Sequence, residues 1–455
     1  MKKTIKSILG CAIIALSFGA LYSCSEKIDI ETGNEVEIET TVKTCPMNFE
    51  GGVVGFDQNG TKGLTKAASS SWSDGDKIYI IFYNGTTMIP GEATYSTAGG
   101  WNVSYDGDLA TGTGLKCEVR YFANATFLSS SLVSLNSETE SYEATNGSYE
   151  YNGSTLTVQA SMTPKTGRIR FSGTSGEKIH LTGISVYTTY SPALNTFSST
   201  KSMITTTVAT TGYTPYIYGS LAESNKKLGL VGSDFAFTRT CTNAVLKVGD
   251  SGYMAIPTES SHNNWKNGLY VTVGSEEFKM IPVTGHNNGF FLIGETEVTN
   301  ALYVAVTNSS TYASNDKPVA SIDYSECESF ISKLNYATNL TFSIPTYSQW
   351  QYAASGGNKS QGYTYAGSNF PGDVAWYTGN SGGGVHSVKQ LAPNELGIYD
   401  MSGNVSEWTS SLNGSSNYHC GGNYNSSESS IKITSKDYNS SKSQNRGFRI
   451  ILLYN

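Results

Sequence analysis

"LGIYDMSGNVSEW", residues 396–408, sets a dense run of Gly, Asp, Asn, Glu and Trp into a chain otherwise rich in serine, threonine, glycine and tyrosine. Pro393 and Asn394, just before it, read as a turn. Leu396, Ile398 and Tyr399 lead toward a core. Gly403 permits a backbone conformation that other residues resist. Asn404 and Glu407 offer oxygens, either as turn acceptors or as cation ligands, and Trp408 is a large apolar anchor. The run therefore reads as scaffold, and its neighbours decide which scaffold.

Upstream, "KPVASIDYSECESFISKLNYAT" places Cys327, Phe330, Ile331, Leu334 and Tyr336 on one helical face, with Asp323 or Ser325 as N-cap. In "FSIPTYSQWQYAASGG", Pro345 opens a helix that buries Trp350 and Ala353 or Ala354, and Gly356 ends it. Downstream, "NRGFRIILLYN" reads as a final core strand.

Taken in order, "GETEVTN", "IPTYSQWQYAASGG", "VAWY", "VHSVKQLAPNELGIYDMSGNVSEW", "CGGNY" and "GFR" resemble the formylglycine-generating-enzyme-like superfamily. That resemblance implies an α+β variant of the C-type lectin fold over 286–455. In family members the run binds calcium through backbone carbonyls, an Asn and a Glu, which points to Asn404, Val405 and Glu407 here; oxygen donors suit that ion. A hydrogen-bonded turn without an ion accounts for the same residues. The founding activity uses a cysteine pair that holds copper after the "GG" strand. Here "NYNSSESSIKITSKDYNSSKSQ" contains no cysteine, Cys420 precedes the two glycines, and Cys327 belongs to the helix. Copper(I) requires soft thiolates, so neither copper nor catalysis is expected.

Residues 410–445 are dense in Ser, Asn and Tyr and are clamped between Trp408 and "GFRIILLY". A polar segment held between core strands is a displayed surface, and this composition suits adaptable recognition. Tyr418, His419, Asn423, Tyr424, Asn425, Tyr438 and Asn439 are the candidate ligand-binding residues, for a glycan or a protein. Some lectin-like relatives are varied here by diversity-generating retroelements. The palette at Tyr418, Asn423, Tyr424, Asn425, Tyr438, Asn439, Ser440 and Asn445 is similar to theirs.

From about 35 to 285 the pattern is short strands and turns, such as "DKIYIIFYN", "STLTVQA", "GRIRFSG", "LYVTVG" and "EFKMIPV". "W-x-x-GDKI", "GGW", "RYFANA" and "TPKTGRIRF" resemble the fimbrillin family of Bacteroidales pilins. The resemblance implies two transthyretin-like β-sandwiches, 25–160 and 161–285, and incorporation into a pilus by strand exchange with pilin subunits. The chain continues into a further domain where stalk subunits of that family end, which fits a fibre tip or base.

Lys2, Lys3 and Lys6, an apolar stretch from Ile8 to Ala20, and "LYSC" at 21–24 resemble a lipoprotein leader, residues 1–24, with Cys24 as the lipidated residue. This implies a cell-surface protein held at the outer membrane by lipid. The net charge of −7, with charged residues at 15%, argues against nucleic acid. The expected chain is mainly β, and its expected role is a pilus-tip adhesin displaying a lectin-like domain. A surface oxidase and a non-adhesive pilus-base anchor are the alternatives.

Overall fold

The computed structural model describes residues 42–54, 64–66, 72–123, 125–129, 132–200, 203–220, 226–232, 235–241, 251–256, 266–287, 289–438 and 443–453. Cys24 and Asn439 lie outside the described residues. The fold is mainly β, with helices concentrated after residue 299.

Strict alternation builds the first region. Gly100–Asp106 and Leu156–Pro164 bury every second residue. A turn starts the strand Lys77–Asn84: the Ser73 amide donates to Asp76 Oδ2 at 2.9 Å and Gly75 takes φ 85°. Beneath it Trp72 meets Trp101 at 5.0 Å and Tyr121 at 5.2 Å, both edge-on. The sandwich expected here is one continuous sheet. It closes on itself because Val42–Val54 runs parallel to Leu156–Pro164, Met47 opposite Leu156. That last strand runs through Pro164, so a break at 160 would cut it. The turn in "TPKTG" follows it, and the next strand begins at Gly167.

In the second region, the sheet holding Gly167–Ser172 packs on the sheet holding Lys178–Thr182 and Lys226–Val231. Ile169, Phe171, Ile179, Leu181, Leu228 and Leu230 fill the space between them. A further sheet joins both regions: Leu132–Ser134 pairs with Val186–Ser191, and Val133 and Tyr190 cover Tyr79 and Phe122 of the first region. Beside this joint Arg120 lies between Glu118 at 2.9 Å and Glu143 at 3.5 Å, and Asn195 Nδ2 donates to Glu118.

The C-terminal domain begins earlier than 286. Leu269–Val273 and Glu276–His286 are antiparallel members of its five-stranded sheet, with Gly289–Gly294, Ile451–Leu452 and Phe342–Ser343. Leu269–Val273 alternates as the earlier strands do, and Glu276–His286 buries Met280 and Ile281 in succession, one in each core, so neither pattern names the sheet that the strand joins. Two helices, α1 (Asn300–Thr307) and α2 (Tyr324–Thr338), cover one face. Asp323 caps α2 in a reciprocal box with Glu326. Cys327, Phe330 and Leu334 are buried, but Tyr336 is 91% exposed. It sits two residues beyond Leu334, about 200° round the helix, and so faces away from the core. A third helix, α3 (Tyr347–Ala354), packs with the opposite core around Ile281, Val283, Ile293 and Trp350.

These placements predict that a fragment 266–455 unfolds cooperatively in urea, whereas 286–455 does not fold. The shorter fragment loses Leu269, Val271, Val273, Met280, Ile281 and Val283, all buried. At about 2–5 kcal/mol for each truncated large aliphatic, that loss exceeds the stability of an ordinary domain. A cooperative transition in 286–455 would contradict the sheet order.

Candidate functional site

The run 396–408 surrounds a buried ion pair. Glu407 Oε1 accepts from Arg449 Nη2 at 2.7 Å, and Oε2 accepts from Arg449 Nε and Trp350 Nε1, each at 2.6 Å. The other Arg449 donors reach the carbonyls of Gly294 and Tyr399, both at 2.9 Å. Burial disfavours the guanidinium's charge, but Glu407 outweighs it and holds the Arg449 pKa above its usual value. Asp400 and Glu297 are buried nearby. Burial pushes Asp400 up to about 6, and burial with Asp400 and Glu407 close by pushes Glu297 well above the carboxylate range. Glycine is required at 403: φ is 80°, and a Cβ there would sit 2.2 Å from the Trp376 carbonyl oxygen.

This centre orients α3. Thr346 caps the helix with Gln349, and Trp350, Ala353 and Ala354 face inward. Asn394 Nδ2 donates to the Ala353 carbonyl at 2.7 Å and satisfies the helix end. By helical period, Ser348, Gln351, Tyr352 and Ser355 form the opposite stripe, and all four line a cleft of about 610 Å³. Across the cleft stand His286, whose Nε2 lies 2.9 Å from Ser348 Oγ, and Tyr363. The third wall comes from residues 431–434, where Ile431 and Ile433 point into the core and Lys432 and Thr434 point out.

A tyrosine surface continues from that wall. Tyr418 and Tyr438 are opposite in register, with ring centroids 6.1 Å apart. Tyr347 of α3 lies 6.0 Å from Tyr418. The Lys436 ammonium stands over both, 4.1 Å from the Tyr347 ring and 4.5 Å from the Tyr418 ring. Tyr347 OH donates to the Thr434 carbonyl at 3.4 Å, joining this surface to the cleft.

The sequence-predicted residues divide around this surface. Tyr418 and Tyr438 form it, with Tyr438 52% exposed. Asn425 is exposed, and Asn423 is half-buried in the turn that Asn425 completes, its Oδ1 accepting from the Asn425 amide at 2.9 Å. His419 and Tyr424 are corrected to core positions. His419 follows Tyr418 on one strand and so points the other way, onto Trp408 at 5.8 Å. Burial and the nearby Arg446 push its pKa down to about 4. Tyr424 is only 8% exposed and is fixed at its backbone by Asn404 and Ser381. Sequence reading missed Tyr347, Tyr352, Tyr363, Lys432 and Lys436. The signals available were the exposed stripe of α3 and the alternation in "IKIT".

At the positions proposed for calcium, the side-chain oxygens of Asn404 and Glu407 already accept from protein donors. Glu407 is committed to Arg449 and Trp350, while the Asn404 amide exchanges hydrogen bonds with the His386 backbone. A guanidinium already supplies the positive charge beside Glu407. The thiols do not fit copper. Cys327 and Cys420 lie in different cores, and burial raises both thiols well above their usual pKa.

Residues 265–453 match the family described as Sulfatase-modifying factor enzyme 1-like domain, and the C-terminal region is such a domain. The chaperone protein LppX of Paenibacillus barcinonensis is 48% identical over 84 residues, which is 15% of this chain and 30% of that protein. The chain thus spans less than a third of the curated relative that it matches. Among solved structures, variable protein 1 of Treponema denticola has 24% identity and a TM-score of 0.37, covering 40% of this chain and 98% of its own. A fimbrial protein from Bacteroides ovatus has 8% identity and a TM-score of 0.26, covering 90% and 99%.

Two outcomes follow from the buried centre. Glu407→Gln takes from Arg449 the one carboxylate that is hydrogen-bonded to it, leaving only the nearby Asp400 and Glu297, and should cost about 3 kcal/mol or more in urea unfolding. Glu407→Leu with Arg449→Met should recover most of that loss; a cost below about 1 kcal/mol in the single variant would contradict the pair's role. Chelation with EDTA should leave the melting temperature unchanged. A drop restored by calcium would show that the loop holds an ion.

Proposed function

We propose that the chain is a surface adhesin whose C-terminal domain binds a ligand through the tyrosine surface and its adjoining cleft, and that it is not an enzyme. The observation that carries this reading is the cluster of half-buried Tyr347 and Tyr418 with exposed Tyr438 around Lys436, beside an open cleft. Tyrosine supplies large rigid contact area with little loss of conformational entropy, and the surrounding Ser, Asn and Thr adapt their hydrogen bonds. The separated, buried thiols favour binding over oxidation chemistry.

In this reading the β-rich first two regions carry the binding domain away from the cell. The fimbrillin-like motifs favour placement at a pilus end by strand exchange. The leader favours export and a lipid on Cys24, at the outer membrane. Retroelement-type variation would act on Asn425 and Tyr438, which are exposed, and on half-buried Tyr418 more freely than on Tyr424, which is buried.

The test is attachment of beads bearing the full chain to a mucin-coated surface. Tyr418→Ala with Tyr438→Ala should reduce attachment at least about tenfold, the scale of one or two lost aromatic contacts. The melting temperature should stay near that of the parent, since neither ring is in a core. Undiminished attachment would remove this face from the function.

A further inference from the structure

We propose that the cleft between α3, Gly285–Asn287 and residues 432–434 holds an acidic sugar, a carboxylated or sulfated unit of a glycan. This rests on the ligand-binding reading above and narrows it to a chemical class.

The argument starts from charge. The chain carries a net −7, so its general field repels anions. Yet among the described residues no carboxylate lines this cleft. Lys432 lines it and is exposed, and its ammonium makes no ion pair or hydrogen bond among the described residues. Lys436, four residues on, makes no ion pair among the described residues and rests on tyrosine rings instead. Elsewhere lysines pair readily with acids, as Lys165 does with Glu143 and Lys279 with Glu295. The cleft and the tyrosine surface thus share two cations that the protein leaves uncompensated.

The remaining lining suits a pyranose. Ser348, Gln351 and Thr434 present hydroxyls and an amide, which both donate and accept. Tyr352 and Tyr363 provide flat apolar faces. Tyr352 is fixed by its hydroxyl, which donates to the Thr284 carbonyl at 2.8 Å. That reach requires glycine at 285, where φ is 89° and a Cβ would come within 2.7 Å of the Tyr352 hydroxyl. A volume of about 610 Å³ accommodates one or two sugar rings. Rigid aromatic walls, adaptable polar groups and an unpaired ammonium together select an anionic sugar over a neutral one.

The test is calorimetric titration of the full chain with a heparin-derived sulfated hexasaccharide, sialyllactose and lactose at low and moderate salt. At least one acidic probe should bind at least about tenfold more tightly than lactose, with affinity falling as salt rises. Which one binds separates sulfate from carboxylate. Lys432→Gln should lose about tenfold for that probe, the scale of one charge-assisted contact, and Lys432→Arg should retain most of it. Equal affinity for lactose, no binding of either acidic probe, or full affinity in Lys432→Gln would each overturn the proposal. If Lys432→Gln binds and attaches normally while the Tyr418 and Tyr438 variant does not attach, the adhesive reading stands and the acidic-sugar inference falls.

Discussion

The pairing of Glu407 with Arg449 is the constraint on which the C-terminal domain depends. Both are almost wholly buried, and a lone charge in that position would cost several kcal/mol. Glu407 lies on the strand Ser406–Asn413 and Arg449 on the segment before the last strand, Ile451–Leu452, and Trp350 brings α3 onto the same carboxylate. Gly294 and Tyr399 complete the guanidinium's partners. One carboxylate therefore sets the positions of the terminal segment, the 396–408 run and the helix whose outer stripe forms a cleft wall. Asn394, satisfying the end of that helix, removes its remaining freedom.

Recognition at the surface follows from period. On α3 the buried set Trp350, Ala353 and Ala354 forces Ser348, Gln351 and Tyr352 outward. In the turn 431–434 Ile431 and Ile433 are buried while Lys432 and Thr434 are exposed. The same rule sends His419 inward beside an outward Tyr418. The proposed binding face is in this sense the complement of the core, its residues turned outward because their neighbours are turned inward.

Much of this was legible in the sequence. The ordered motifs pointed to the C-terminal domain, and Asp323 was one of the two caps that residue type and spacing offered for α2, whereas the cap of α3 is Thr346, one residue after the Pro345 expected to open it. Tyr336 was misplaced because an aromatic two residues past the last core leucine can be mistaken for part of the stripe. His419 and Tyr424 were assigned to the surface by composition, which ignores alternation. The ion pair could not be read at all: nothing local ties Glu407 to Arg449. The early start of the domain at Leu269 was hidden for the same reason, since a strand's pattern does not name its partner. The closure of the first sheet likewise depends on a parallel pairing between distant strands.

The central claim is the proposal that ligand is met by the α3 stripe together with the tyrosine segment. Hydrogen exchange of the full chain, free and bound to mucin-derived oligosaccharides, tests it most directly. The account predicts slowed exchange concentrated in residues 346–364 and 416–438, with the strands of the first two regions unchanged. Slowed exchange confined to the first two regions, with 346–364 and 416–438 unaltered, would contradict it.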